Sequence, residues 1–108
     1  MKVYKLKVYK LTDARGMSYD DTQWGDGVSH EVKGEGELCS GGWLHCYDSA
    51  EIAVLMNPLH ANFRSARLWE AEADGATLDD AGLKRGVQRL TTLREIPVPS
   101  ISQTQRVA

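Results

Sequence analysis

Arg67-Leu68-Trp69-Glu70-Ala71-Glu72-Ala73-Asp74-Gly75 is the stretch on which the fold turns. Trp69, Ala71 and Ala73 alternate with Leu68, Glu70, Glu72 and Asp74. That period of two belongs to a strand with one face in a core and an acidic face outward. Asp74-Gly75 reads as the turn that ends it. Downstream, Asp79-Asp80 and Gly82 mark a second polar connection. Val87 to Ile96 then reads as a long final strand whose phase breaks between Leu90 and Leu93. Pro97 and Pro99 end pairing there, because proline has no ladder donor. Ser100 to Ala108 reads as a polar, flexible tail.

Upstream of the decisive stretch lies the one helical signal. Asp48 is placed to cap it, and Glu51 three residues on completes a capping-box pattern before Ile52-Ala53-Val54-Leu55-Met56. Asn57-Pro58 stops it, which gives a helix over about 49–57. Five consecutive apolar residues leave little polar face, so burial on most sides is expected. Trp43 to Tyr47 before it is a compact aromatic strand. Val28, His30 and Val32 alternate with Ser29 and Glu31 as a short strand, and Gly34-Glu35-Gly36 and Gly41-Gly42 mark turns. Asp13 to Gly27 carries no sustained period and reads as a long loop holding Tyr19 and Trp24.

The N-terminus holds an uninterrupted tandem repeat, Lys2-Val3-Tyr4-Lys5-Leu6 and Lys7-Val8-Tyr9-Lys10-Leu11. Its period of five is odd, so in a strand the two copies send equivalent residues to opposite faces. Tyr4, Leu6 and Val8 share a face opposed to Lys5 and Lys7, and Tyr9 and Leu11 fall out of phase with that set. Either the strand carries a bulge, or one copy is a core strand and the other an edge or extension.

This order of mostly antiparallel strands around one short helix places the chain in the α+β class, with a bent or two-part sheet. Its 108 residues match one domain, assigned to 1–99 with the tail at 100–108. Hydrophobic residues make up 42% and charged ones 26%, the balance of a folded chain. A formal charge of −2 gives no global attraction to nucleic acid or an anionic membrane. No apolar run spans a bilayer and no secretory pattern opens the chain, so the expected location is the cytoplasm. Cys39 and Cys46 are the two thiols, too few for a secreted disulfide framework and expected to be reduced.

Few residues are arranged for chemistry. Cys39, His45, Cys46 and His60 lack the paired spacing of a structural zinc site, and adjacent strand residues point to opposite faces, so no metal is expected. The glycine turns lack the lysine and helix start of a phosphate loop. Asp20-Asp21, Asp26 and Asp79-Asp80 are acidic loop groups. Arg64, Arg67, Lys84, Arg85, Arg89 and Arg94 make the C-terminal half locally basic, which suggests a polarised surface suited to protein recognition or to a nucleotide phosphate. Trp24 stands between Gln23 and Gly25, where it either anchors the loop on the core or lines a groove.

Two resemblances add to this. Gly36-Glu37-Leu38-Cys39, Gly42-Trp43-Leu44-His45-Cys46-Tyr47-Asp48-Ser49, Arg67 to Gly75 and Leu90-Thr91-Thr92-Leu93-Arg94-Glu95-Ile96 together resemble a small domain of unknown function found in phage and prophage proteins. The resemblance covers about residues 8–96. It implies a phage-type accessory protein in the host cytoplasm that binds a host macromolecule, for instance as an inhibitor of a host defence system. Tyr19, Trp24 and Asp26 are then the expected partner-binding residues. The order of segments is also similar to ADP-ribosyltransferase-like folds, with Val8-Tyr9-Lys10-Leu11-Thr12 as opening strand and Asp48-Ser49-Ala50-Glu51-Ile52-Ala53 as helix. That similarity implies NAD as cofactor, Glu95 as catalytic glutamate, Tyr47 as stacking aromatic and Lys10 near the nicotinamide. In this chain Lys10-Leu11-Thr12 stands where such enzymes carry His-Gly-Thr or an arginine. A virion or assembly component, self-associating into an oligomer, is the third reading.

Overall fold

The computed structural model describes residues 5–18, 22–38, 41–60, 65–80 and 84–98. The elements run β1 (Leu6–Thr12), β2 (Met17–Ser18), β3 (Thr22–Gln23), β4 (Val28–Glu31), β5 (Leu44–Cys46), α1 (Ala50–His60), β6 (Arg67–Asp80) and β7 (Lys84–Ile96). The class is α+β with antiparallel pairing and, among the described residues, one helix. The sheet has two parts, a five-stranded sheet in the order β1-β6-β7-β4 with β5 also on β7, and the small β2-β3 hairpin. That hairpin lies inside the stretch read as a structureless loop.

The larger sheet closes on itself. β1 pairs with β6, β6 with β7 and β7 with β5. Tyr47, directly after β5, then exchanges two backbone bonds with Tyr9 of β1, at 2.8 and 2.9 Å. The enclosed face holds Val8, Trp24, Cys46, Ala71, Ala73, Val87 and Leu90. On the outside, α1 covers Leu11, Tyr47 and Leu68, with Tyr9 and Ile96 at the margin.

This two-sided packing resolves the phase of the repeat. β1 has no bulge: Val8, Lys10 and Thr12 face the enclosed core while Tyr9 and Leu11 face the helix. The second copy is the core strand, and most of the first lies outside the described residues.

The register of β6 on β7 shifts twice. One shift passes Leu93, since Glu70 pairs with Arg94 and Ala71 with Thr92. It accounts for the phase break between Leu90 and Leu93, and it turns Ile96 to the helix side while Leu90 stays inside. The other lies between Asp74 and Thr77, where Gly75 adopts φ +81°. The Gln88 side chain accepts the Ala76 N–H at 3.1 Å. Asp74-Gly75 therefore bends the strand rather than ending it: β6 continues to Asp80 and β7 starts at Lys84, earlier than Val87.

The helix departs from its sequence reading in three respects. Its cap is Ser49, whose Oγ accepts the Ile52 N–H at 3.1 Å, because Asp48 is held instead by Arg85 at 2.7 Å. It runs to His60 through Pro58, whose missing N–H removes one bond of the last turns and does not end them. It packs on one side only, so Ala53 is fully buried while Leu55 is 43% exposed.

Gly86 lies just before the final strand as the sequence reads and inside β7 in the structure. A Cβ there would lie 2.9 Å from the Cβ of Trp43 and 2.6 Å from Leu38, so the bare backbone lets β5 and the preceding loop close on β7.

Candidate functional site

Alternation from Val8 sends Lys10 into the enclosed core, where its residue is 8% exposed. Its ammonium donates to the His45 carbonyl on β5 at 2.7 Å and lies 5.6 Å from the centre of the Trp24 ring. No carboxylate pairs with it among the described residues. Burial lowers its pKa to about 8, the nearby Cys46 sulfur raising it and Lys84 lowering it further. Cys46 is a free thiol with no exposed surface, pushed up to about 12 by the same burial. A thiol so far from ionisation is a poor nucleophile.

Trp24 is 2% exposed and acts as the anchor of its loop. Its Nε1–H donates to Ser18 Oγ at 2.8 Å, and its ring meets His30 edge-on at 4.6 Å. Beyond it, buried Thr92 grips the chain from β7. The Gly25 N–H donates to Thr92 Oγ1, that hydroxyl donates to the Gly25 carbonyl, and the Gly27 N–H donates to the Thr92 carbonyl at 2.8 Å. Asp26 projects to solvent between these fixed points. Tyr19 lies outside the described residues.

Glu95 sits across from Trp69, which pairs on its other side with Lys10, so one row runs Lys10, Trp69, Glu95. The Trp69 Nε1–H donates to Thr12 Oγ1 at 3.0 Å, and the Arg67 guanidinium stacks 4.7 Å over the ring while donating to Glu95 at 2.7 Å. The Arg67 hydrogen bond keeps the Glu95 carboxyl below the usual range. The charges of Glu95 and Asp26 both act on Arg67, which ties the Asp26 loop to this corner. Tyr47 belongs to the other face: it packs with Leu11, Ala53 and Leu68 under α1, and burial pushes its phenol up to about 12. The row thus brings Lys10 and Glu95 to one face and leaves Tyr47 on the opposite one.

The rest of the helix-side face is a neutralised ladder rather than an acidic surface. Glu70 takes Lys7 from β1 and Arg94 from β7, and Lys5 pairs with Glu72. Arg89 bonds Asp74 and meets Glu31 of β4 at 3.5 Å. Arg67, Arg85, Arg89 and Arg94 each have an acidic partner, so the expected polarised basic half does not form from them. Arg64 and Cys39 lie outside the described residues, as does the His60 side chain. His45 Nε2 bonds the Leu38 carbonyl, and no group of three metal-ligating side chains occurs among the described residues. No helix there is long and apolar enough to cross a membrane.

Lys10, Thr92 and Arg67 carry more of this site than their sequence reading gave them. For Lys10 and Thr92 a signal existed, since each falls two residues from a core apolar position, Val8 and Leu90. Arg67 gave none, because its position depends on a strand far along the chain. No family model, no curated protein and no solved structure matches the chain.

Proposed function

We propose that this protein acts by binding another macromolecule, as a phage-type accessory protein would, and that the Gly25–Gly27 tip with its Arg67–Glu95 neighbours is the contact surface. One observation carries the reading: an exposed acidic group, Asp26, is presented on a tip clamped by Thr92 on both sides and anchored by buried Trp24. A tip ordered before contact loses little entropy on binding, so few contacts suffice for affinity. The complementary partner is a protein with a basic patch facing Asp26, and a host defence component is one such class.

The reactive groups favour this over NAD chemistry. Glu95 is engaged by Arg67, Cys46 and Tyr47 are held protonated by burial, and Tyr47 and Glu95 lie on opposite faces. The test is capture from host lysate with the wild type and with Asp26→Lys. A stoichiometric protein retained by the first and lost by the second is the expected result. Equal capture by both removes Asp26 from the contact. A rise in melting temperature with millimolar NAD, together with transferase activity abolished in Glu95→Gln, would replace the reading with the enzyme.

A further inference from the structure

We propose that the join between β1 and β5 is where the closed sheet opens, and that Lys10 is its latch. Every other contact between paired strands of the closed sheet is a ladder of three or more residues, the longest being β6 on β7. The join is a single bridge, Tyr9 with Tyr47, reinforced by the Lys10 bond to the His45 carbonyl. Both backbone bonds and the side-chain bond span the same gap. Opening there breaks these bonds and parts Tyr9 and Leu11 from Tyr47 under α1, and it leaves all three ladders intact.

The latch has an uncommon composition. The groups around the Lys10 ammonium are the His45 carbonyl and the Cys46 thiol from β5, Lys84 from β7, the Trp24 ring from the loop after β3 and Trp69 beside it on β6. None is an anion at neutral pH, and one is a second cation. A closed join therefore holds a desolvated charge, and an open one returns that charge to water. Protonation favours opening and loss of the proton favours closure. Burial of the amine supports the same direction, since the lysine pKa falls from 10.5 to about 8. Opening uncovers the enclosed face with Cys46 and Trp24.

The experiment is amide hydrogen exchange on the full chain, read residue by residue from pH 7 to pH 9 and corrected for intrinsic rates. The Tyr9 and Tyr47 amides are expected to exchange faster than those of the central β6–β7 ladder. Their protection is expected to rise about fivefold from pH 7 to pH 9, since the roughly tenfold rise from the two lysine pKa values is about halved by Cys46, whose raised pKa acts in the opposite direction near pH 9. In Lys10→Met, or in Lys10→Gln should that variant fold poorly, the rise is expected to vanish. Protection of Tyr9 and Tyr47 equal to that of the β6–β7 ladder overturns the opening point, whatever the variants do. A pH-independent protection in the wild type, or an unchanged rise in both variants, overturns the latch.

Discussion

Inside the closed sheet Val8, Cys46, Ala71, Val87 and Leu90 are no more than 1% exposed, whereas under α1 the apolar run that begins the helix leaves Leu55 at 43%. The difference follows from geometry. A sheet that curls back to its first strand surrounds its inner side chains with backbone from every direction, and it demands small residues such as Ala71 and Ala73 where strands approach. A single helix laid on the outer face covers one stripe and has nothing behind it. The enclosed side is thus where an unusual group such as Lys10 is trapped and where mutations are costly, while the outward face of the helix tolerates change.

The largest expected effect sharpens this contrast. Leu90→Ala, inside, should cost about 2–5 kcal/mol in denaturant unfolding, and Leu55→Ala on the helix less than about 1 kcal/mol. Equal costs would break the comparison. Next comes Lys10→Met. Removing the buried amine relieves about 3 kcal/mol of desolvation, offset by about 1 kcal/mol for the His45 carbonyl left without its donor. The variant should therefore be more stable than the wild type at pH 7 by about 1–2 kcal/mol. The sign with pH is fixed by the same shift: between pH 8 and 10.5 the unfolded chain holds the lysine proton and the folded chain does not, so stability rises with pH. From pH 9 upward Cys46, raised from 9.0 to about 12, acts in the opposite direction, joined above 10 by Tyr47. The rise is accordingly confined to about pH 8–9 and should be absent in Lys10→Met.

Gly86→Ala should cost about 1–3 kcal/mol, since the added methyl meets Trp43 and Leu38 at less than contact distance. A melting point unchanged by this variant would show that β5 and its loop have room to retreat. The smallest pair tests the helix start. Ser49→Ala should cost about 1 kcal/mol through the cap. Asp48→Ala should cost less, since its partner Arg85 forms a solvent-facing pair. The reverse order would restore Asp48 as the cap.

Much of the fold was legible wherever one face of a strand meets water. The alternation of Trp69, Ala71 and Ala73 against Glu70 and Glu72 marked β6, and the phase break between Leu90 and Leu93 marked the bulge at Leu93 of β7. Reading failed where both faces are covered: Tyr9 and Leu11 looked out of phase because alternation cannot be seen when the helix buries what the enclosed core does not. Gly75 reads as an end because a glycine at positive φ suits a turn and a bulge equally. Ser49 and Asp48 are both good caps locally, and only Arg85, 37 residues away, decides between them. The site was legible in parts, Asp26 as an exposed loop acid and Trp24 as a possible anchor. The row of Lys10, Trp69 and Glu95 joins three strands and has no local signature.

The most direct test is the titration of the Lys10 side chain in the intact protein, followed through its ε-carbon resonance by NMR. A midpoint near pH 8 is the result expected of an amine enclosed without a carboxylate. A midpoint near 10.5 would mean that the amine reaches water, and would contradict both the closed core and its latch.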